Sequence, residues 1–197
     1  MDITYTDAQK QFREDVRAWL NDNAPKVRLQ SFDTAEGFEQ HRAWEKVLYS
    51  GRWGNVNWPK EYGGRGLDLI SWLIFEEEYY GADGPLRVSQ NGIFLLAPTI
   101  MEYGTEAQKA RFLPPMASGE EIWAQAWSEP GAGSDMAAIR TKAIRDGDHY
   151  VISGQKTWSS RAVFADWCFA LVRTEEGGAR HKGLSMILLP LDSPGLT

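Results

Sequence analysis

Apolar side chains recur at helical spacing from the start of the chain, and their first run predicts an amphipathic helix. Residues 6–9 read TDAQ, which has the form of a capping box with Thr6 at N-cap and Gln9 at N3. The stretch 21–25 is polar and closes on a proline, so we expect the helix to end there. The apolar positions of this helix are Phe12, Val16, Trp19 and Leu20.

Further helical patterns follow as far as about residue 120. Residues 57–66 are rich in proline and glycine and predict a loop between two of them. Pro98 is expected to kink one helix, because proline lacks the N–H that the helix interior needs, and Pro114-Pro115 to close another. The predicted helices span residues 34–51, 68–80, 91–103 and 105–115.

From about residue 121 the spacing of apolar residues changes from that of helices to that of β-strands. Residues 141–145 and 149–152 flank an Asp146-Gly147 pair, which favours a hairpin with a two-residue turn. Two more strands are predicted at 167–172 and 184–191, joined by a charged, glycine-rich loop at 174–182. No internal repeat interrupts this order, so the chain is predicted to be α+β, with a helical domain at 1–120 and a β domain at 121–197.

Composition and charge argue against several classes of function. The 197 residues carry a formal net charge of -6, which argues against a general binder of nucleic acid or anionic membrane. The chain has a single cysteine, no basic-then-apolar leader and no apolar run long enough to span a bilayer, so we expect a cytoplasmic protein. His41, His149 and His181 are scattered and are predicted to be surface residues, with no metal site.

Two segments carry the chemistry: 127–135 (WSEPGAGSD) and 154–160 (GQKTWSS). Glycines without a Cβ let the backbone approach a ligand, and the serines supply short hydrogen-bonding groups. Trp127 and Trp158 offer large flat surfaces for stacking. Taken alone, the first segment is typical of a turn and Trp158 of a core residue. Together they favour a site for a planar, hydrogen-bonding cofactor.

Both segments resemble the flavin-binding signature of the acyl-CoA dehydrogenases. The first is similar to the family's (Thr/Ser)-Glu-Pro-x-Ala-Gly-Ser-Asp motif, and the second to its Gly-x-Lys-x-Trp-x-(Thr/Ser) motif. The resemblance runs from near residue 5 to the end of the chain. It implies an N-terminal helical domain followed by part of a β-barrel-like middle domain. The family's C-terminal helical bundle lies outside these 197 residues.

The resemblance also implies roles for individual residues. Residues 125–128 would run beside the isoalloxazine ring of FAD, Gly131 and Gly133 would shape the loop, and Trp158 would pack on the ring. Ser134 would contact both the cofactor and the acyl-CoA substrate. The implied cofactor-binding residues are Gln125, Ala126, Trp127, Ser128, Gly133, Ser134, Trp158, Ser159 and Ser160.

The implied reaction is the dehydrogenation of an acyl-CoA thioester to a 2-enoyl-CoA in fatty acid metabolism, with an electron-transfer flavoprotein-like acceptor. Members of the family are oligomers, so we expect a homo- or hetero-oligomeric dimer or tetramer. The family's catalytic glutamate comes from the C-terminal bundle, so no catalytic residue is assigned and the chain alone is expected to be inactive. The run Glu76-Glu77-Glu78 is interpreted as a solvated helix face.

Several alternatives stay open at this stage. The chain could be a fragment of a longer enzyme, a natural truncated subunit or the ordered part of something larger. It could serve as a non-catalytic flavin-binding or scaffold subunit of a heteromeric dehydrogenase, or belong to a flavin monooxygenase of the same fold. The sequence WSSR at 158–161 departs from the common family pattern and is similar to bacterial members acting on dicarboxylic, branched or steroid-derived acyl-CoAs. Arg161 either shapes substrate choice or faces solvent.

Overall fold

The computed structural model describes residues 4–175 and 181–197, which form two compact units. The unit that runs to Glu120 is helical, and the unit that begins at Glu121 is built on a five-stranded sheet. The predicted α+β class is therefore confirmed. The predicted loop at 174–182 lies partly outside the described residues.

The helices of the first unit begin where their capping residues predict. At both Thr6 and Thr105 the N-cap hydroxyl accepts a hydrogen bond from the N3 backbone, and the N3 glutamine accepts one from the N-cap N–H. Thr34 and Asp68 cap two further helices through their side chains. The helices are α1 (Asp7–Asn23), α2 (Ala35–Ser50), α3 (Leu69–Gly81), α4 (Ala97–Tyr103) and α5 (Glu106–Ser118).

The prediction that Pro114-Pro115 closes the last helix is wrong, because α5 continues to Ser118. Proline has a helical φ and removes only its own N–H, so a helix can run through it where packing offsets the lost bonds. Met116 and Ala117 supply that packing, since both side chains are buried. The helix ends instead at Gly119, which adopts a φ of 75°.

The irregularity predicted at Pro98 lies just before the proline. Asn91–Leu96 forms a π-helical turn, and the Ala97 N–H donates to the carbonyl of Gly92, five residues back. α4 then starts with the proline in its first turn, where a missing N–H costs little. The segment 91–103 is therefore two short helical pieces.

Aromatic side chains fill the core of the helical unit. Trp53 stacks on Phe75 with the ring centroids 5.9 Å apart. The Trp44 indole N–H donates to the Tyr79 hydroxyl at 2.6 Å, so both rings are buried without an unpaired polar tip. The buried cluster is Val16, Leu20, Trp44, Leu48, Trp53, Val56, Phe75 and Tyr79.

The prediction that the three histidines are surface residues is wrong for one of them. His41 is only 5% exposed; its Nδ1 lies 2.7 Å from the Leu86 carbonyl oxygen and its Nε2 lies 3.1 Å from that of Gln30. The ring therefore joins two loops of the helical unit. His149 and His181 are exposed, as predicted.

The acidic run on α3 is only partly the solvated face that we expected, since Glu77 is exposed but Glu78 is not. The Glu78 side chain is 13% exposed and accepts hydrogen bonds from Arg13 and Arg17 of α1. Burial acts to raise the pKa of Glu78, but the hydrogen bonds from Arg17 and Arg13 outweigh it and hold the pKa below its usual range. The run thus pairs α3 with α1, since a helical period brings its carboxylates to face the two arginines.

Strand β4 (Trp167–Arg173) lies at the centre of the sheet in the second unit. Along one edge it pairs first with β1 (Trp123–Ala126) and then, through Arg173, with β2 (Lys142–Asp146), both in parallel. Its other edge pairs antiparallel with β5 (Leu184–Pro190) over seven residues. The chain between β1 and β2 therefore leaves this edge and returns to it, and the excursion contains the first motif.

The predicted hairpin is present, but its turn is shifted by one residue. β2 pairs antiparallel with β3 (His149–Ser153), and Asp146 lies opposite His149. The two-residue turn is therefore Gly147-Asp148 rather than Asp146-Gly147. Gly147 adopts a φ of 59°, which places the glycine at the first turn position.

Small side chains fill the core of the sheet unit. The cluster contains Cys168, whose thiol has its pKa raised to about 11 by burial, so the cysteine is a packing residue and not a reactive one. Trp123 is fully buried and stacks on Trp167 with the centroids 5.3 Å apart. The buried cluster is Ala124, Ala126, Ala143, Cys168, Ala170 and Val172.

Glu78→Gln is expected to lower the free energy of unfolding by about 1–2 kcal/mol at neutral pH, because it removes a charged acceptor from two arginines. Because the pKa of Glu78 is lower in the folded chain, this contribution exists above the ordinary carboxyl pKa and is lost as the pH falls below it. Urea unfolding should therefore show a difference that shrinks in acid. The comparison variant is Glu77→Gln, which breaks a 2.7 Å pair with Arg13 only and whose side chain is 55% exposed, so its loss should cost less. Equal effects for the two variants would contradict the pairing.

Gly154→Ala is expected to destabilise the sheet unit by about 1–3 kcal/mol, because the new Cβ would lie too close to backbone. It would sit 2.7 Å from the Cα of Thr141, which cannot move without moving the strand. Gly133→Ala is the matched control, since nothing lies within 4 Å of its Cβ position. Thermal unfolding of the two variants measures the difference, and an unaffected Gly154→Ala would disprove the close approach.

Candidate functional site

The first motif leaves the carboxyl end of β1 and turns sharply. Gln125 and Ala126 are the last residues of the strand, and Trp127 and Ser128 continue it without regular pairing. The Glu129 N–H donates to the Ala132 carbonyl at 2.8 Å, and the Ala132 N–H donates back at 3.1 Å. This tight turn leaves Pro130 and Gly131 at an exposed tip, and Gly133 and Ser134 are exposed after it.

The structure brings the second motif alongside the first. The Thr157 N–H donates to the Ser128 carbonyl at 2.9 Å, and the Lys156 ammonium donates to the Trp127 carbonyl at 3.0 Å. Two consecutive residues of one motif thus bind two consecutive residues of the other. Ser128, Trp158 and Ser159, which the resemblance places on one cofactor, therefore occur on two adjoining segments.

A buried ion pair that the sequence reasoning missed joins the motifs. Lys156 Nζ lies 2.9 Å from Glu129 Oε1, and the two side chains are 13% and 8% exposed. Lys156 also donates to the Leu171 carbonyl of β4. Glu129 accepts further hydrogen bonds from the backbone N–H groups of Arg140, at 2.6 Å, and Thr141, at 2.9 Å. The available signal was that the first motif contains two acidic residues, Glu129 and Asp135, and the second contains one basic residue, Lys156.

Glu129 is held as a carboxylate. Its burial would raise the pKa, but the hydrogen bonds from Thr141, from the Arg140 N–H and from Lys156 outweigh that effect and lower the pKa to about 2. The group is therefore ionised throughout the physiological range. A carboxylate with so low a pKa is a poor proton acceptor, so Glu129 is not suited to act as a general base.

Trp158 has the geometry of a contact residue and not of a core residue. Its side chain is 90% exposed, and its backbone adopts a φ of 59°. A non-glycine residue in this region costs of order 1–3 kcal/mol and persists only where the surrounding structure fixes it; such residues concentrate at binding and active sites. Trp127, by contrast, is half-buried. Its ring packs edge-on against that of Phe169, with the ring centroids 6.1 Å apart.

Three polar side-chain atoms of the two motifs lack protein partners. Within the described part of the chain, Trp127 Nε1, Thr157 Oγ1 and Ser159 Oγ are buried without a hydrogen bond. Buried polar groups are nearly always paired, so orphans on two adjoining segments are suited to a ligand with several hydrogen-bonding atoms. A flavin ring has such atoms along one edge, and these residues fit it. Ser160 is exposed at the end of the second motif.

Two neighbouring features constrain where a ligand can lie. Arg161 is half-buried with a φ of 70°, and its carbonyl accepts hydrogen bonds from Phe164 and Ala165, so it forms a turn and does not simply face solvent. A cavity of about 270 Å³ lies between the first motif and residues 138–141 and 154–155. Ligand pockets for drug-sized molecules range from about 300 to 1,000 Å³. This cavity is therefore too small to enclose a molecule of the size of FAD.

Residues 4–175 and 181–197 contain neither a metal-holding cluster nor a membrane-spanning helix. No group of three or more His, Cys, Asp or Glu side chains there is arranged to hold a metal ion. None of the helices in the same residues is long and apolar enough to cross a membrane.

Comparison with known proteins agrees with the geometry. The family model "Acyl-CoA dehydrogenase, N-terminal domain" matches residues 6–120, and "Acyl-CoA dehydrogenase, middle domain" matches residues 124–197. Acyl-CoA dehydrogenase IpdE1 of Mycobacterium tuberculosis is 46% identical over 193 residues, which cover 95% of this chain and 50% of that protein.

Two solved structures share the fold over 99% of this chain and 50% of their own. The "Tcur3481-Tcur3483 steroid ACAD" superposes with a TM-score of 0.86 at 36% identity. The ChsE4-ChsE5 complex from Mycobacterium tuberculosis superposes with a TM-score of 0.86 at 38% identity.

The chain spans about half the length of the curated relatives it matches. Its two units correspond to the two family regions that match, and the matches together extend from residue 6 to residue 197. This chain therefore belongs to the acyl-CoA dehydrogenase family and contains sequence of its N-terminal and middle domains.

Proposed function

We propose that this chain forms the FAD-contacting part of an enzyme that oxidises an acyl-CoA thioester to a 2-enoyl-CoA. The observation that carries the proposal is the junction of the two motifs, in which Ser128 and Thr157 are hydrogen-bonded and Trp158 stands exposed beside them. The family is flavin-dependent in general, and its middle-domain model covers both motifs.

Different residues at the junction of the two motifs would make different contacts with the flavin. The exposed face of Trp158 would stack on the isoalloxazine ring, and the unpaired groups of Trp127, Thr157 and Ser159 would hydrogen-bond its polar edge. Ser128, Ser134 and Ser160 would add short donors near the ring and the thioester, and residues 125–128 would run beside it. Bound FAD would supply the electron acceptor for the oxidation.

The proton acceptor of the reaction is proposed to lie outside this chain. Glu129 is excluded by its hydrogen bonds and its pKa of about 2. Glu78 is paired with two arginines, and Glu76 accepts a hydrogen bond from Trp72 in the helical unit. The chain alone would therefore bind and orient, and would not complete the reaction.

The complete enzyme is proposed to be a heteromer. Two relatives of this chain are described as two-component assemblies, and one of them as a steroid ACAD. A bulky, steroid-type acyl-CoA is accordingly the favoured substrate class, with an electron-transfer flavoprotein-like acceptor and a cytoplasmic location. The N-terminal helical domain at 1–120 and the middle domain at 121–197 would be the units that the partner completes.

Native mass spectrometry of the protein that contains these residues is expected to show bound FAD, and Trp158→Ala is expected to weaken FAD binding about ten-fold. That factor corresponds to about 1.4 kcal/mol, within the range for one lost aromatic contact. Stability should be unchanged, because the side chain makes little contact with the fold. The control is Tyr103→Ala, an aromatic side chain that is also largely exposed but lies in the helical unit.

The outcomes separate the competing functions. A wild-type protein without FAD would contradict the proposal, and unchanged FAD affinity in Trp158→Ala would remove the placement of the second motif. FAD binding without dehydrogenation of any acyl-CoA in the assembled protein would favour a scaffold subunit. Oxygen consumption that needs no acceptor protein would favour a flavin monooxygenase.

A further inference from the structure

Lys156 uses its whole hydrogen-bonding capacity inside the protein. An ammonium group has three N–H donors, and those of Lys156 find the Trp127 carbonyl, the Glu129 carboxylate and the Leu171 carbonyl. No donor is left for a ligand. A lysine at this position of a cofactor motif therefore acts through the residues that it holds.

Both oxygens of the Glu129 carboxylate likewise have hydrogen-bond partners inside the protein. One carboxylate oxygen accepts from Lys156 and from the Thr141 N–H, and the other accepts from the Arg140 N–H. The two charges thus fix five parts of the chain to each other: the end of β1, the turn of the first motif, the segment before β2, the start of the second motif and β4. Removing one partner of such a pair strongly destabilises the folded protein, because the other charge stays buried without a counter-ion.

The pair is next to the cofactor-facing groups in both motifs. Ser128 directly precedes Glu129, and Trp158 lies two residues after Lys156. The strained backbone of Trp158 needs neighbours that hold it: its own carbonyl accepts from the Ser160 N–H at 2.9 Å, and the Thr157–Ser128 bond and the Lys156 bonds fix the residues before it. A shift of the ion pair would therefore move the aromatic face and the serine relative to each other.

We propose that Glu129 and Lys156 are positioning residues, which set the spacing of the two cofactor loops without contacting the cofactor. The inference rests on the proposed function, because it concerns how the same flavin surface is held. Glu129 and Lys156 would thus hold the two loops in place, whereas other residues of the same motifs would contact the flavin.

The test compares variants of the native protein, assembled with any partner, by FAD affinity, by the visible absorption and circular dichroism of bound flavin, and by thermal unfolding. Lys156→Met removes three hydrogen bonds and leaves Glu129 charged and buried, so FAD affinity should fall about ten-fold or more, with a changed flavin spectrum. Glu129→Gln keeps the shape and most of the bonds, so affinity should fall about three- to ten-fold. Lys109→Met is the matched control, since it breaks a 3.0 Å pair with Glu106 on α5, and should change neither property.

The double variant Glu129→Gln/Lys156→Met separates positioning from plain stability. Removing both charges leaves no unpaired buried ion, so unfolding should recover toward that of the wild type. If the pair positions the loops, FAD affinity and the flavin spectrum stay altered in this stabilised double variant. If both recover together with stability, the positioning role is overturned.

The single variants supply the remaining outcomes. A folded Lys156→Met protein that binds FAD with wild-type affinity and spectrum overturns the inference and leaves the proposed function standing. If Lys156→Met does not fold, Glu129→Gln decides between the two roles by the same two flavin readouts. A wild-type protein that does not bind FAD refutes the proposed function itself, and is distinguished from the other failures because no variant is needed to see it.

Discussion

The central strand β4 is the constraint on which the candidate site depends. β4 pairs with β1 and then with β2 along one edge, so the chain between them must leave the sheet and return, and this excursion is the first motif. β3 is antiparallel to β2, so its end at Ser153 lies opposite Lys142, and the second motif leaves from there and bonds the first through Thr157 and Ser128. Lys156 then fixes the two segments to the Leu171 carbonyl of β4 and to Glu129. The junction of the two motifs is therefore a consequence of strand order and one buried ion pair.

Much of the helical unit could be predicted because its signals are local. The capping box at Thr6 acts within four residues and is present where the sequence predicts it, and the helix predicted from residue 105 begins with a second box at Thr105. The errors are cases in which tertiary packing decides the outcome. α5 passes through Pro114-Pro115 because Met116 and Ala117 are buried, and His41 is interior because two distant loops supply carbonyls to its ring.

The candidate site likewise has features that the sequence predicts and features that depend on tertiary structure. Its residue types and their order could be recognised from the two motifs. The sequence does not show which backbone groups the motifs share, because the Thr157–Ser128 and Lys156–Trp127 bonds depend on strand pairing far along the chain. Neither the positive φ of Trp158 nor the role of Glu129 follows from composition or spacing. The low pKa of Glu129 and the pairing of Glu78 with two arginines make both carboxylates poorly suited to accept a proton.

Hydrogen exchange of the native protein, with the flavin removed and then restored, tests most directly whether the two motifs form one cofactor surface. The account predicts that backbone amides in 125–128 and in 156–160 exchange more slowly together when FAD is restored, because one ligand orders both segments. Peptides from the exposed strand β3, at 149–153, serve as the internal reference. Slower exchange in only one of the two segments, or in neither, would contradict a shared surface.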